Sequence, residues 1–200
     1  AIRHGWEMWK RNKKLLTLLT LFWFIIEILQ PDKWNDLPTV VLGVVLVVAS
    51  NLFAIGWFKI LLKLERGENA SWKEVFNYAK YFWKYVGSNI LFCLISGIGL
   101  ILLVIPGVYW FLKYQFAPLL VIDKDISIKE SFKESARMTE GMKWQLLGFI
   151  IVNTLVVLLG VLALVVGLFV SIPAGALAYV YVYRKLLERE HSTPLIQEGV

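Results

Sequence analysis

Apolar residues in this 200-residue chain gather into long runs, separated by short segments rich in lysine and aromatic side chains. Crossing about 30 Å of hydrocarbon at about 1.5 Å per residue takes roughly twenty apolar residues in a helix. Three runs meet or approach that length: 38–62, 86–105 and 144–166. Three more, 15–29, 108–122 and 168–187, are shorter or carry charges, and topology supports them. The pattern predicts an all-α, polytopic membrane protein with six transmembrane helices in a single domain over 1–187, followed by a polar tail at 188–200.

Six spans place the loops alternately on two sides, and the cytoplasmic side is expected to hold the Lys/Arg excess. Of the 21 basic residues, all but Lys33 and Lys113 fall on the side of the amino-terminal segment. The expected location is therefore a cell membrane, multi-pass, with both terminal segments cytoplasmic. The net charge of +6 then reports orientation, and no nucleic-acid partner is expected. Composition agrees: 58% of residues are hydrophobic, against about 45–50% for soluble domains, so a water-soluble globule is excluded. The start, AIRHGWEMWKRNKK before an apolar run, has the look of a signal peptide but lacks an A-x-A-like site. It is read as an uncleaved first helix.

Two polar segments carry a helical apolar stripe. In 71–85 these are Trp72, Val75, Phe76, Ala79, Phe82 and Trp83; in 127–142 they are Ile128, Phe132, Ser135, Met138 and Met142, with Ser127 and Glu130 at capping-box spacing. Both are expected as amphipathic interfacial helices on the cytoplasmic side. Their lysines and arginine, Lys73, Lys80, Lys84, Lys129, Lys133 and Arg137, are expected to contact anionic lipid headgroups. Lys73-Glu74-x-Phe76 matches Lys129-Glu130-x-Phe132, and the start with Trp6 and Trp9 is a looser third copy. This suggests repeats of an interfacial helix plus a hairpin. Small-residue spacings at Ala163/Gly167 and Ala174/Ala178 point to close helix contacts. Gly97 and Gly99 serve packing or bending.

From Pro106 the chain reads PGVYWFLKYQFAPLLVID, then IKESFKES from Ile128 and TEGMKWQLLG from Thr139. This pattern resembles an uncharacterised prokaryotic inner-membrane superfamily that includes the membrane domain attached to some glycerophosphodiester phosphodiesterases. The shared features are the Ile105-Pro106-Gly107 turn, Lys113-Tyr114, Pro118, the amphipathic helix, and Gly141 with Trp144, over about residues 72–187. Lysine stands where that pattern often has arginine, and the fifth helix is unusually rich in glycine and valine. The resemblance implies a six-helix membrane domain and carries over no catalytic residues.

Chemistry is sparse. One cysteine, Cys93, and two distant histidines, His4 and His191, offer neither a disulfide nor a zinc site, and no nucleotide or hydrolase motif occurs. No cofactor, metal site or catalytic residue is expected, and the chain is read as non-enzymatic. Polar residues inside apolar spans are costly and draw attention to function. Glu27, Asn51, Lys113, Gln115 and Asn153 are the candidates for a shared intramembrane polar site, with an ion pair expected between Glu27 and Lys113. Such a pair either lines a polar cavity or only locks helix packing. Gln115 and Asn153 are read first as interhelical hydrogen-bonding groups. Trp23, Trp34, Tyr109 and Trp110 are read as interface anchors. Asp123, Asp125, Glu130 and Glu134, interleaved with lysines, are read as a solvated face. The expected function is a lipid-interacting or accessory scaffold protein, with membrane lipids, a membrane protein or a second copy as partner. The alternative is a small transporter or channel using the polar site.

Overall fold

The computed structural model describes residues 1–31, 35–162 and 167–192. Lys33 and Trp34, Ala163 with the end of the expected fifth span, and the tail beyond 192 lie outside the described residues. The described chain is all-helical: α1 (Ile2–Arg11), α2 (Lys13–Ile28), α3 (Leu37–Glu65), a 3-10 helix (Trp72–Tyr81), α4 (Phe82–Leu102), α5 (Val104–Tyr114), α6 (Ala117–Lys124), α7 (Ile128–Met138), α8 (Lys143–Leu162) and α9 (Leu168–Ser192).

Among the described residues, four stretches are long and apolar enough to cross a membrane: Leu37–Glu65, Trp72–Leu102, Val104–Lys124 and Lys143–Val161. Helix α2, with 16 residues, falls short alone, and in α9 the tyrosines, Pro173 and terminal charges dilute the apolar run. Burial is uneven along the molecule. Ile60, Leu61 and Leu62 late in α3, Leu120 to Ile122 in α6, and Leu177, Val180 and Tyr183 in α9 are sealed from solvent. Val41 to Val45 early in α3, Leu100 to Ile105 around the α4–α5 turn, and Leu155 to Leu159 in α8 are mostly open. An apolar surface of that extent is unstable against water, and it fits a multi-pass membrane protein. The packed end is the one carrying the lysines.

Three local features set this shape. Leu103 alone joins α4 to α5 in an extended conformation, and the two helices meet at Gly99 and Gly107. A Cβ on Gly99 would stand 2.8 Å from the Gly107 Cα, so the turn requires the missing side chain. Gly97 has open space around it and serves no such contact. Second, Gly5 of α1 lies on α9, where a Cβ would meet the Ala174 carbonyl at 2.2 Å and the Ala178 nitrogen at 2.9 Å. The small residues expected to admit a neighbour therefore admit α1. Third, α7 opens on the expected capping box: the Ser127 N–H donates to Glu130 Oε2 at 3.0 Å, and the Glu130 N–H donates to Ser127 Oγ at 3.3 Å.

Three expectations are corrected. Residues 71–85 do not form a separate α-helix: a 3-10 helix runs straight into α4, with a kink at Tyr78 (φ −108°, ψ 19°). Three residues per turn aligns Trp72, Val75, Tyr78 and Tyr81 on one stripe. The bare backbone of Gly56 lets that stripe press onto α3, since a Cβ there would stand 2.0 Å from the Val75 carbonyl. The fourth run, 108–122, is two helices, because Pro118 has no N–H to continue the ladder. The 127–142 helix ends at Met138, and its apolar face does not lie open to lipid. Ser131, Phe132, Ser135 and Met138 are buried beneath it against the neighbouring helices.

Candidate functional site

Among the described residues, no hydrogen bond or ion pair joins the five intramembrane polar residues to one another. Glu27 is exposed in the last turn of α2, and among the described residues it makes no ion pair with Lys113. The reason lies in the backbone: the Lys113 carbonyl is bonded from α7, which anchors this turn at the basic end, whereas α2 has its basic end at its start. The Lys113 ammonium rests 5.4 Å from the ring of its neighbour Tyr114. Asn51 donates to its own helix at the Val47 carbonyl (2.8 Å), and buried Gln115 donates to the Leu112 carbonyl (3.3 Å). Asn153 presses its amide on Gly175 of α9, where a Cβ would stand 2.9 Å from Oδ1. Asn51 and Gln115 thus bond their own helices, whereas Asn153 packs on α9 with its buried Oδ1 making no hydrogen bond among the described residues. Trp23 borders an apolar cleft, and Tyr109 carries the Lys143 ammonium at 4.4 Å from its ring.

What the structure builds at the basic end is a broken helix held by hydroxyls. Between α5 and α6 the turn at Gln115 and Phe116 leaves carbonyls that the ladder no longer serves, and a buried carbonyl must find a donor elsewhere. Ser135 Oγ donates to the Lys113 carbonyl at 2.9 Å, with Thr139 Oγ1 3.3 Å from the same oxygen. Tyr179 donates to the Gln115 carbonyl at 2.8 Å while its ring stacks on Phe116, centroids 4.9 Å apart. Below the break, Tyr183 donates to Asp123 Oδ2 at 3.0 Å, and Arg66 pairs with the other oxygen of that carboxylate. Glu65 takes His4 Nε2 at 3.0 Å, and its carbonyl accepts from Arg184. Of these hydroxyls only Ser135 was named from sequence, and as part of an apolar stripe, although Pro118 inside an apolar run and the four-residue spacing of Ser135 and Thr139 were signals that carbonyls needed capping.

The acidic cluster resolves into individual pairs. Asp125, in a left-handed conformation (φ 55°), holds Lys84 at 2.7 Å and Lys80 at 3.8 Å; Glu134 pairs with Lys124, and Arg137 with Glu190. The hydrogen bond from the Lys84 ammonium holds the Asp125 carboxyl below its ordinary range. The Ser127 hydroxyl, then its N–H, does the same for Glu130. Among the described residues no group of His, Cys, Asp and Glu could hold a metal ion. Of the expected headgroup contacts, Lys80, Lys84 and Arg137 are thus engaged in ion pairs, whereas Lys73, Lys129 and Lys133 are exposed.

Two apolar clefts flank Phe53. One, of about 220 Å³, is lined by Thr20, Trp23, Ala54, Trp57 and Ile172; the other, of about 240 Å³, by Leu18, Leu19, Phe22, Trp72 and Phe76. Both lie between α2, α3 and their neighbours.

No protein family matches the chain, and no solved structure matches it. A protein of Mycobacterium tuberculosis, described only as uncharacterised, is 34% identical over 100 residues, covering half of this chain. This chain spans 30% of that relative's length.

Proposed function

We propose that this chain is a non-enzymatic integral membrane protein that interacts with lipid or acts as an accessory scaffold in a membrane complex. In this reading α2 and α9 join the four longer stretches as spans, giving six. Each of α1, the 3-10 helix and α7 introduces a hairpin, in a prokaryotic inner membrane with the basic end cytoplasmic. The observation that carries the reading is the division of the molecule into an ion-paired, hydroxyl-capped basic end and an open apolar end, with two apolar clefts beside Phe53. The resemblance over residues 72–187 supports it too: Pro106, Pro118 and Gly141 (φ 72°) fall where the helices turn or break.

The test is reconstitution of the full chain into vesicles with and without phosphatidylglycerol, followed by thermal unfolding and by release of trapped ions and small solutes. Anionic lipid is expected to raise the melting temperature, with leakage no faster than from empty vesicles. Solute flux abolished by Lys113→Ala in a folded protein would overturn the proposal in favour of a transporter.

A further inference from the structure

We infer that the cleft between α2, Phe53 and the 3-10 helix is a binding site for one anionic phospholipid, an acyl chain lying along Phe22, Phe53 and Phe76 and the phosphate held by Lys14 and Lys73. This rests on the lipid-interacting reading above and makes it specific. The walls come from three elements. Phe22 meets Phe53 with ring centroids 5.5 Å apart and Phe76 at 6.1 Å, and Leu18, Phe22, Trp72 and Phe76 each remain more than a third exposed. The cleft is therefore a surface groove of apolar side chains that no part of the described protein fills.

Charge at the rim identifies the occupant. Lys14, Leu18 and Phe22 follow one another at four-residue spacing on α2, so Lys14 stands one turn, about 6 Å of rise, before the groove. Lys73 stands next to the lining residue Trp72 and one turn from Phe76 in the 3-10 helix. Both lysines are exposed, and neither has an ion-pair or hydrogen-bond partner among the described residues. That sets them apart from Lys63, Lys80, Lys84 and Lys124, each committed to a carboxylate. An apolar groove opening to hydrocarbon with unpaired ammonium groups at its rim suits a ligand with an apolar chain and an anionic head. A neutral lipid leaves the lysines unanswered, and a free phosphate leaves the groove empty.

The experiment measures association of spin-labelled phosphatidylglycerol and phosphatidylcholine with the full chain in vesicles, and the ratio of the two. At about 1 kcal/mol per lysine near an anionic surface, each is worth roughly fivefold in that ratio. Lys14→Ala/Lys73→Ala is expected to abolish most of the preference for phosphatidylglycerol, and Lys129→Ala/Lys133→Ala on α7 to leave it near the wild-type value. Leu18→Trp, at a half-exposed position, narrows the groove and is expected to remove tightly held lipid of either kind. Both lysine pairs are solvent-facing, and helical circular dichroism checks that each variant is folded. Preference retained in Lys14→Ala/Lys73→Ala and lost in Lys129→Ala/Lys133→Ala overturns this site while leaving the lipid-interacting reading intact. Equal association of the two lipids with the wild type overturns both, and inorganic phosphate displacing phosphatidylglycerol would mark a free-anion site instead.

Discussion

The break between α5 and α6 yields a quantitative prediction, because two hydroxyls reach one carbonyl. Ser135 Oγ is 2.9 Å from the Lys113 oxygen and Thr139 Oγ1 3.3 Å, but Thr139 has one hydrogen and a closer acceptor, the Ser135 carbonyl at 2.8 Å. In the native protein Ser135 therefore caps the break and Thr139 bonds its own helix. Removing the serine hydroxyl frees the Lys113 carbonyl, and Thr139 can turn its hydrogen toward it. Ser135→Ala alone is then expected to cost under about 1 kcal/mol, and Thr139→Val alone a similar amount. The double variant leaves a buried carbonyl with neither donor, at about 1–3 kcal/mol of desolvation. Both side chains are fully buried, so water does not substitute. The double-mutant cycle is expected to show a coupling of at least 0.5–1 kcal/mol, the double variant being worse than additive. Reversible unfolding in mixed micelles, followed by helical circular dichroism, gives each free energy. Additivity within about 0.3 kcal/mol would refute the shared-acceptor argument.

Three other outcomes follow from contacts described above. Gly56→Val places side-chain atoms where the Val75 carbonyl now lies, so the 3-10 helix must move; overpacking of this kind costs about 1–3 kcal/mol, read as a lowered unfolding midpoint. Asp125 has its carboxyl lowered by Lys84, so its stabilising contribution is present above the ordinary Asp range and lost as pH falls through the lowered value. Unfolding measured from pH 7 down to about 3 is expected to show this acid loss, reduced in Lys84→Ala. Cys93 is exposed midway along α4, and in the membrane-spanning reading that surface faces lipid. A charged maleimide is expected to leave it unmodified in vesicles and to modify it after sodium dodecyl sulfate is added, by mass. Modification in intact vesicles would place α4 in water.

Much of the architecture was legible because it depends on composition and local signals. Apolar runs mark helices wherever they fold, the Ser127–Glu130 spacing marks a helix start, and Ala174/Ala178 marks a surface that admits a neighbour. Pro118 inside an apolar run was equally visible, and its consequence, a helix in two pieces, follows from one missing N–H. The 3-10 conformation of Trp72–Tyr81 was not legible, since its residues fit an α-helical stripe nearly as well. Contact with Gly56 on a different helix is what the three-residue repeat serves.

The candidate site divides the same way. Rarity of polar residues in the spans selected Glu27, Asn51, Lys113, Gln115 and Asn153, and rarity is a property of the sequence. Their partners depend on helix rotation and depth, which a sequence pattern specifies only to within a face. Packing turned Asn51 and Gln115 back onto their own helices and placed Lys113 at the basic end without Glu27 beside it. Likewise, nothing along the chain distinguishes Lys14 and Lys73 from Lys80 and Lys84. The tertiary structure does so by bringing Asp125 to one pair and, among the described residues, no carboxylate to the other. Sequence alone determined the solvent this protein folds for and the helices it forms, because burial in lipid is a requirement each segment meets by itself. Which charges are spent on internal pairs and which stay exposed was decided only in three dimensions, because ion pairing depends on distances between segments far apart in the chain.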